Sequence, residues 1–435
     1  MNADRSWPGI SHYQVEAGPD WTGSGPLSED AECDVAIIGG GLAGISTALS
    51  LLERGVDSVR VLETDQPGAG ASGRNGGFVF AGYSLANDAL FTQLGREQAT
   101  LMHGWTRDAV DLIRDRINRY AIDCQVNDAG VLLADWFGDD QRLRAFQQRM
   151  ADQLDFELEF IDREAMPSII DSPRYGAGLM EPGSFHFHPL RHVRGLAAHL
   201  HRAGVGVHGL SPVKAISRTR NGWQLTAGES VLRAREVVLT TGGYDKTLWP
   251  PLQRALQPIA TYVAVTEPLQ GLTERLVPGG VAVYDTRFAF DYFRPLPDGR
   301  LLWGGRISIA DRSPDAIRRL LRRDLAKVFD GLGNIEFEQA WGGWMSYARH
   351  EMPLLGRTAE GLWHGLAFGG HGMATTTLAG ELLAEAICGQ PARLARFARW
   401  QPLWAGGALG RYAVQTRYWW LQLKDAFRSQ TGTGR

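Results

Sequence analysis

Residues 34–44 read DVAIIGGGLAG, an apolar run that leads directly into a glycine-rich turn. The run over 34–38 has the length and composition of a buried parallel strand. A helix is predicted over 45–54, where Gly55 ends it as a C-cap residue, and a second strand is predicted over 58–63. The three segments together form a strand–helix–strand unit of ordinary length.

The glycine-rich turn matches the pattern G-x-G-x-x-G between a strand and a helix. Gly39 permits the tight turn, Gly41 lets a pyrophosphate approach the backbone, and Gly44 lets the helix pack closely on the strand. Free N–H groups at the start of the helix, including those of Leu42 and Ala43, can then hold the phosphates. The pattern predicts a dinucleotide site.

An acidic residue follows the turn at the spacing such a site requires. Glu63 stands 19 residues beyond Gly44, at the end of the second predicted strand. A carboxylate there accepts hydrogen bonds from a ribose diol and repels a 2′-phosphate. We therefore expect Glu63 and its neighbour Thr64 to contact the nucleotide, although this unit alone suits NAD as well as FAD.

Two further glycine-rich segments favour FAD. The loop over 70–77 can lie along a flavin, and the segment 366–375 predicts a strand and a turn before a helix over 378–387. The start of that helix can stabilise the negative charge of a reduced flavin. The residues expected to meet the cofactor here are Ala71, Ser72, Arg74, Asn75, Gly76, Gly77, Gly370, His371, Gly372, Met373 and Ala374. For Arg74 and Asn75 we expect the role of fixing the loop.

The remaining patterns predict an α/β fold in which a Rossmann-type FAD-binding domain is interleaved with an antiparallel-sheet substrate domain. The predicted division is an irregular arm (1–33), an FAD-binding domain (34–90, 186–249 and 343–390), a substrate domain (91–185 and 250–342) and a basic aromatic tail (391–435). The other predicted elements are helices over 93–120, 140–154 and 190–201, a hairpin over 126–133, strands over 204–208, 215–227 and 237–241, and a strand-rich region over 250–342 with a hairpin turn at 296–299.

Composition sets limits on the function. The chain has 435 residues, 44% hydrophobic and 21% charged, and a formal charge of −3, so nothing points to nucleic acid. Cys33, Cys124 and Cys388 are too few and too scattered for a disulfide framework or a metal site, which fits a cytoplasmic protein. His186 and His188 form an H-x-H pair without an evident third ligand, so we expect no metal. The first residues suggest no secretory signal, and no apolar run has the length of a membrane span.

The tail after residue 391 allows two interpretations. It is rich in arginine and aromatic residues. A helix of that composition can bind peripherally to anionic lipids, in this case at the inner face of the membrane. Alternatively, the helix packs on the body of the protein with its arginines in solvent.

With these residues assembled, the chain resembles the FAD-dependent amine and amino-acid oxidase superfamily that includes D-amino-acid oxidase, glycine oxidase and sarcosine oxidase. Within it, the gamma-glutamylputrescine oxidase-like and L-pipecolate oxidase-like proteins are the most similar. The resemblance runs from about 34 to 430 and rests on the segments 70–77, 211–213, 240–243, 292–305 and 341–353. It implies that Val213 meets the adenine and that Thr241 and Gly242 form a second nucleotide-side turn.

Two departures from that superfamily affect the chemistry. Sarcosine oxidases attach FAD to a cysteine near the position of Gly343, where this chain has none, so we expect non-covalent FAD. They also carry a lysine above the flavin that assists reaction with oxygen, at the position where this chain has Trp303. Oxygen and quinone therefore both remain open as electron acceptors.

The resemblance implies oxidation of a small amine or amino acid, such as a gamma-glutamyl polyamine or a cyclic imino acid such as L-pipecolate. A hydride passes from the carbon beside a neutral nitrogen to the flavin, and the imine hydrolyses. Arg349 can bind a substrate carboxylate or form an ordinary ion pair. Tyr262 and Tyr292 can line the pocket or only pack, and His371 can contact flavin or substrate or only brace its turn.

Two alternatives remain. One is a membrane-associated amino-acid dehydrogenase that passes electrons to quinone, and the other is a non-catalytic flavin-binding scaffold. An NAD-dependent enzyme fits less well, since one nucleotide fold is predicted and the turn over 369–373 would then have no purpose.

Overall fold

The computed structural model describes residues 9–18, 21, 23–245 and 247–431. Parts of the predicted arm (1–8, 19–20 and 22) and of the tail (432–435) lie outside these residues. The described residues form two eight-stranded sheets and one two-stranded sheet.

The strands among the described residues are, in chain order, β1 (Ala31–Ile38), β2 (Val59–Leu62), β3 (Phe78–Val79), β4 (Val131–Ala134), β5 (Glu159–Ile161), β6 (Gly178–Glu181), β7 (Phe185–His186), β8 (Gly206–His208), β9 (Val213–Thr219), β10 (Gly222–Ala227), β11 (Ser230–Leu239), β12 (Gln257–Thr266), β13 (Ala282–Asp285), β14 (Asp291–Pro295), β15 (Leu301–Ser308), β16 (Phe337–Tyr347), β17 (Leu354–Arg357) and β18 (Trp363–Leu366).

The α-helices are α1 (His12–Glu16), α2 (Leu42–Glu53), α3 (Asn87–Leu94), α4 (Arg96–Arg119), α5 (Asp140–Leu154), α6 (Pro189–Arg202), α7 (Pro250–Gln253), α8 (Leu272–Leu276), α9 (Pro314–Val328), α10 (Gly372–Ile387), α11 (Ala392–Ala395) and α12 (Gly407–Thr431). Short 3₁₀ turns lie at Ala71–Gly73, Met166–Ser168 and Arg396–Arg399.

The first sheet has the order β17-β18-β11-β1-β2-β8, in which β18, β11, β1, β2 and β8 run parallel. Strands β9 and β10 extend it as an antiparallel meander along β11. The end of β1 is an apolar run because both faces of the sheet are covered: Ala36 and Ile37 are completely buried. This is the predicted Rossmann-type sheet.

The second sheet has the order β16-β12-β15-β14-β13-β4-β6-β5 and is antiparallel except for the parallel pair β4 and β13. Helix α9 covers one face with Ile317, Leu321 and Leu325, each completely buried. On the other face, the Trp341 indole Nε1 donates to the carbonyl oxygen of Arg74 at 2.9 Å. The loop over 70–77 therefore lies against this second sheet.

The domain division remains a proposal with one adjustment. Strand β16 stays paired with β12 from Phe337 to Tyr347, so the boundary between 342 and 343 falls inside a strand. We therefore move that boundary to Tyr347. The boundaries after residues 33, 90 and 185 also fall inside elements, namely β1, α3 and β7, and are kept only as part of the proposal.

Several predicted elements are confirmed. Helix α5 has the predicted bounds, α6 exceeds its prediction by one residue at each end, and the turn at 296–299 connects β14 to β15. The helix predicted over 93–120 is α4 with the end of α3, and the two helices meet at Gly95, which has a positive φ. The two strands of the meander also form as expected.

The prediction of an irregular arm is wrong in two places. Ser11 and Gln14 form a capping box that starts α1, because each side chain accepts a hydrogen bond from the other residue's backbone N–H. Strand β1 begins at Ala31, three residues before the predicted start. Part of the arm therefore packs against the rest of the protein, and its Tyr13 is completely buried.

Three further predictions fail for identifiable reasons. No hairpin forms over 126–133, because β4 pairs with the distant strands β6 and β13. Residues 314–328 form a helix inside the region predicted to be strand-rich, although Ser313 caps it and its apolar residues recur every four positions. Helices α2 and α10 begin three and six residues earlier than predicted, because their first turns contain glycine and alanine residues that the sequence analysis assigned to the preceding turns.

Candidate active site

The glycine-rich turn is packed too closely to admit side chains at two of its glycines. Gly39 has φ +112°, and a Cβ there would lie 2.7 Å from the carbonyl oxygen of Thr240. A Cβ at Gly44 would lie 2.0 Å from the carbonyl oxygen of Gly39, so α2 can approach β1 only without that atom. At Gly41 a Cβ would meet only the Ser72 hydroxyl, at 2.9 Å, which means that Gly41 faces the loop over 70–77.

The start of α2 offers free donors. The Leu42 N–H donates to Ser72 Oγ at 2.8 Å, while the N–H groups of Ala43 and Gly44 find no acceptor among the described residues. Gly41 provides no side-chain cap. These N–H groups at the positive end of a 12-residue helix fit a pyrophosphate, as expected from the sequence.

Glu63 lies directly after β2, half-buried, with Thr64 exposed beside it. Its Oε2 accepts the Gly40 N–H at 2.6 Å, and burial raises the pKa of this carboxyl group. The Ser211 N–H donates to the carbonyl oxygen of Glu63 at 2.7 Å, which brings the segment that leads to Val213 beside the acid. The structure therefore joins the two segments expected at the ribose and the adenine.

The second nucleotide-side turn follows β11. The Thr240 hydroxyl donates to the carbonyl oxygen of Ile38 at 2.9 Å and so fixes this turn to the end of β1. The Thr241 hydroxyl is buried without a partner among the described residues, and Gly242 has φ +59°. A buried hydroxyl without a partner is costly in an apolar environment, which fits a ligand group at this position.

The loop over 70–77 is held by its own polar side chains. Asn75 Nδ2 donates to the carbonyl oxygens of Ala71 and Ser72 at 3.0 and 2.9 Å, and Asn75 Oδ1 accepts the Gly77 N–H at 2.8 Å. The guanidinium of Arg74 donates to the carbonyl oxygens of Gly342 and Gly9, both at 2.9 Å, and to Gln14 Oε1 at 3.0 Å. Arg74 and Asn75 thus fix the loop, which is the role expected for them.

His371 is the N-cap residue of α10, ahead of Gly372, Met373 and Ala374 in the first turn. Its Nδ1 is buried without a partner among the described residues, and burial lowers its pKa to about 4, so the ring is neutral. The ring lies 5.1 Å from the Phe80 ring in an edge arrangement. The Gly370 N–H donates to Ser84 Oγ at 2.9 Å and fixes the turn.

Tyr292 lies at the cofactor loop. A Cβ at Gly76 would lie 2.8 Å from the Tyr292 ring, and a Cβ at Gly343 would lie 3.9 Å from Arg74 Cβ. Strands β14 and β16 of the second sheet therefore face the loop at Tyr292 and at Gly343. The space between the loop, these strands and the start of α10 is the candidate active site.

Tyr262 and Trp303 do not belong to this site. Tyr262 belongs to the cluster that packs under α9, and its hydroxyl donates to the carbonyl oxygen of Ala310 at 2.6 Å. Trp303 stacks on Phe293 at 4.7 Å in the same cluster. Both side chains lie on the face opposite to Tyr292, so Tyr262 has the packing role that the sequence also allowed, and Trp303 is part of the core under α9.

Two other predictions have different outcomes. Arg349 is exposed in the turn after β16 and forms no ion pair with a described residue, so its role towards a substrate carboxylate stays a prediction.

His186 Nε2 donates to the carbonyl oxygen of Gly280 at 3.0 Å, whereas His188 Nδ1 accepts the Arg191 N–H at 3.1 Å. The His188 ring proton is therefore on Nε2, and neither ring nitrogen of His188 can serve as a metal ligand.

Four residues of the site were not predicted. Phe80 stacks on Tyr284 at 5.5 Å, and Tyr284 meets Phe290 at 5.9 Å, which makes an aromatic cluster beside His371. The carboxyl group of Glu181 lies behind it, where its Oε1 accepts the Ala81 N–H at 2.6 Å. Phe80 follows the glycine loop closely and could have been found from that position; the other three carry no local signal.

Comparisons with known proteins agree with this geometry. The family described as DAO, FAD dependent oxidoreductase, matches residues 34–386. The chain is 33% identical over 394 residues to the gamma-glutamylputrescine oxidoreductase of Escherichia coli, covering 89% of this chain and 91% of that protein. It is 30% identical over 388 residues to the probable oxidoreductase OrdL of Haemophilus influenzae, covering 86% of each.

A similar fold is found among solved structures. L-proline dehydrogenase from P. horikoshii superposes with a TM-score of 0.70 over 86% of this chain and 99% of that chain, at 17% identity. At this identity the similarity shows the fold alone. Together with the glycine turns, the free N–H groups of α2 and the unpartnered Thr241 hydroxyl, the family match shows that the cofactor is FAD.

Proposed function

The chain belongs to the DAO family of FAD-dependent oxidoreductases, and from this premise we propose that it oxidises the C–N bond of a small amine. Bound FAD supplies a two-electron acceptor for the hydride. The chain's own residues bind its phosphates with the N–H groups of Ala43 and Gly44 and its ribose with Glu63. The neutral ring of His371 and the start of α10 lie beside the flavin.

The composition of the site supports an amine over an amino acid. Arg74 and Arg294, the two arginines beside the cofactor loop, both donate to backbone carbonyl oxygens. The side chains beside the remaining space include Phe80, Tyr284 and Glu181, together with Tyr292 and the neutral His371. Aromatic rings and a carboxyl group suit a cationic or neutral amine, whereas a carboxylate on the carbon that is oxidised, as in an amino acid, needs a positively charged donor at the same place.

The direct test is anaerobic mixing of the yellow protein with separate amines and amino acids while the flavin absorbance is followed. We expect gamma-glutamylputrescine to bleach the flavin faster than L-pipecolate or L-proline at equal concentration. Faster bleaching by the amino acids would contradict the preference for amines and would make Arg349 the first residue to replace. Dithionite serves as the control for a reducible flavin.

The same experiment tests the scaffold alternative. If dithionite reduces the flavin while every amine and amino acid fails to do so, the proposal of catalysis loses its support.

We propose further that FAD is held without a covalent bond and that the protein is cytoplasmic. Cys33 and Cys124 are buried away from β16, and Cys388 follows the far end of α10. Acid precipitation should therefore release all of the flavin into the supernatant.

A membrane-associated dehydrogenase is a second candidate, because α12 has an exposed apolar face. No helix among the described residues is both long and apolar enough to cross a bilayer. One side of α12 packs on the protein, where the Tyr418 hydroxyl accepts the Ile307 N–H at 3.1 Å. The opposite side exposes more than half of each of its large apolar side chains, namely Leu409, Tyr412, Trp419, Trp420, Leu423 and Phe427.

This second candidate is tested with the double substitution Trp419→Ser and Trp420→Ser, which leaves the packed side of α12 intact. Cosedimentation with phosphatidylglycerol vesicles should fall in this variant if the aromatic face binds lipid. The paired measurement compares a soluble ubiquinone analogue with oxygen as the oxidant of the amine-reduced flavin. Equal sedimentation of both proteins, together with faster oxidation by oxygen, would remove this candidate.

A further inference from the structure

Glu181 ends β6 at the point where this strand meets the segment after the cofactor loop. Its Oε1 accepts the Ala81 N–H at 2.6 Å, and no described residue donates to Oε2. Phe80, the residue before Ala81, stacks on Tyr284 and contacts His371. The carboxyl group therefore binds the backbone of the residue that follows Phe80 in the aromatic cluster of the candidate active site. Its second oxygen is available for a ligand.

A cavity of about 510 Å³ opens at the same carboxyl group. Its volume is in the range that holds a small organic ligand. Ala81 and Glu181 form one wall, and the rest of its charged lining is Arg107, Asp108, Asp111, Asp155 and Glu157. Five carboxyl groups against one guanidinium make the approach to Glu181 attractive to cations.

An amine that arrives as an ammonium ion cannot lose hydride until its nitrogen has lost a proton. The alkylammonium group has a pKa of roughly 10, so a proton acceptor is needed near neutral pH. We propose that Glu181 binds the substrate's ammonium group and accepts this proton. The inference rests on the proposed function, because it assigns a residue to that reaction.

The step balances as follows in atoms and electrons. An N–H bond of the ammonium ion breaks, its proton moves to Glu181 Oε2, and the electron pair stays on nitrogen. The C–H bond beside that nitrogen then breaks, and its hydrogen leaves with both electrons to the flavin. The nitrogen lone pair forms the C=N bond of the iminium product, which hydrolyses in water.

The surroundings of Glu181 suit this role. Burial raises the pKa of its carboxyl group to about 8, closer to that of an ammonium ion, so the proton transfer is less uphill than to an ordinary carboxylate. The titratable and charged groups on the elements packed around it are Tyr284 on β13, Arg107, Asp108 and Asp111 on α4, Asp155 and Glu157 between α5 and β5, and His371 at the start of α10.

The test is the pH dependence of flavin reduction in the FAD-loaded protein, by the amine that bleaches the wild type fastest. At low amine concentration the wild-type rate constant should rise through pH about 8 as Glu181 ionises. Glu181→Gln should be roughly 100-fold slower at pH 8 and should lose this inflection, so that its rate keeps rising with the amine's own deprotonation. Glu29→Gln, at an exposed carboxylate outside the cavity lining, should keep the wild-type profile.

The outcomes separate this inference from the proposed function. If no amine reduces the wild-type flavin, both fail. If amines reduce the wild type and Glu181→Gln keeps the same inflection, or is slowed equally at every pH, only the role of Glu181 is overturned, because a purely structural residue would lower the rate without changing its pH profile.

A second readout does not depend on turnover. tert-Butylamine carries an ammonium group but no hydrogen on the carbon beside nitrogen, so it can bind without being oxidised. Calorimetry at pH 7 in two buffers of different ionisation enthalpy should show release of nearly one proton on binding to the wild type, since Glu181 starts protonated. Glu181→Gln should release none, and Glu29→Gln, outside the cavity lining, should behave as the wild type. Equal release in all three proteins would overturn the inference.

Discussion

Arg294 on β14 donates from Nε to the carbonyl oxygen of Gly76 at 2.6 Å, so a side chain of the second sheet holds the cofactor loop. The same guanidinium donates to the carbonyl oxygen of Phe187 at 2.9 Å and to the Tyr13 hydroxyl at 3.1 Å. The side chain is almost completely buried. One arginine therefore connects the substrate sheet, the flavin loop and the N-terminal helix.

Arg294→Lys should loosen this connection. An ammonium group cannot reproduce the planar fork, so at least one buried acceptor loses its partner, at a cost of about 2–4 kcal/mol in the free energy of unfolding. We expect faster FAD release as well, measured by the recovery of free flavin fluorescence, with stability measured by urea unfolding. Arg349→Lys, at an exposed arginine, is the matched control. Similar stability and FAD release in the two variants would show that the contacts of Arg294 are unimportant.

The two glycines of the phosphate turn should respond differently to alanine. In Gly41→Ala the new methyl group meets only the movable Ser72 hydroxyl, so the protein should fold but bind FAD weakly. In Gly44→Ala it meets the Gly39 carbonyl oxygen at 2.0 Å, which should destabilise the protein itself by about 1–3 kcal/mol. The ratio of FAD to protein and the thermal unfolding of the FAD-free form distinguish the two effects. An equal loss of stability in both variants would contradict the structure.

Glu63→Gln removes the charge expected to bind the ribose. Hydrogen bonds to a charged group contribute about 1.5–3 kcal/mol, so FAD should bind roughly 10- to 100-fold more weakly. The dissociation constant is measured by titrating the FAD-free protein and following quenching of its tryptophan fluorescence. Glu29→Gln, at an exposed carboxylate outside the site, should leave the affinity unchanged. An unaltered affinity in Glu63→Gln would remove Glu63 from the nucleotide site.

Glu181 should make stability depend on pH. Its pKa is raised from 4.5 to about 8, which means that the folded protein binds this proton more tightly than the unfolded chain. The protonated carboxyl group therefore makes its full contribution to the free energy of unfolding below pH 4.5, and this contribution is lost as the pH rises to about 8. Allowing for its partial exposure, the loss should be on the order of 2 kcal/mol.

Glu181→Gln should abolish this dependence and should exceed the wild type in stability at pH 9. Urea unfolding of both FAD-free proteins at pH 5.5 and pH 9 provides the measurement. A wild type that loses no stability relative to Glu181→Gln over this interval would show that the carboxyl group has an ordinary pKa.

The nucleotide half of the site could be predicted because its signals are local. The glycines of 39–44, the acid at Glu63 and the loop over 70–77 lie within 39 consecutive residues, and each has a backbone or chemical reason to be where it is. The substrate half depends on which face of a strand points inward. Tyr262 and Tyr292 look equivalent in sequence, yet β12 has a register shift at Thr261 and Tyr262 that no periodicity reveals.

The substrate half also depends on pairings between distant segments. Glu181 reaches Ala81 across 100 positions of the chain, and Phe290 reaches Tyr284 only because β13 and β14 pair. A sequence that shows neither pairing cannot identify these residues. Helix α9, by contrast, carried a capping serine and regular apolar spacing, so it could have been predicted.

The early segment around α1 has a consequence for biosynthesis. Gly9 and Gln14 bind Arg74, and Tyr13 binds Arg294, while Arg74 also needs Gly342. During translation this segment leaves the ribosome well before its partners at 294 and 342. The flavin loop therefore cannot reach its final form until β14 and β16 have been made, and full binding of FAD has to wait for them.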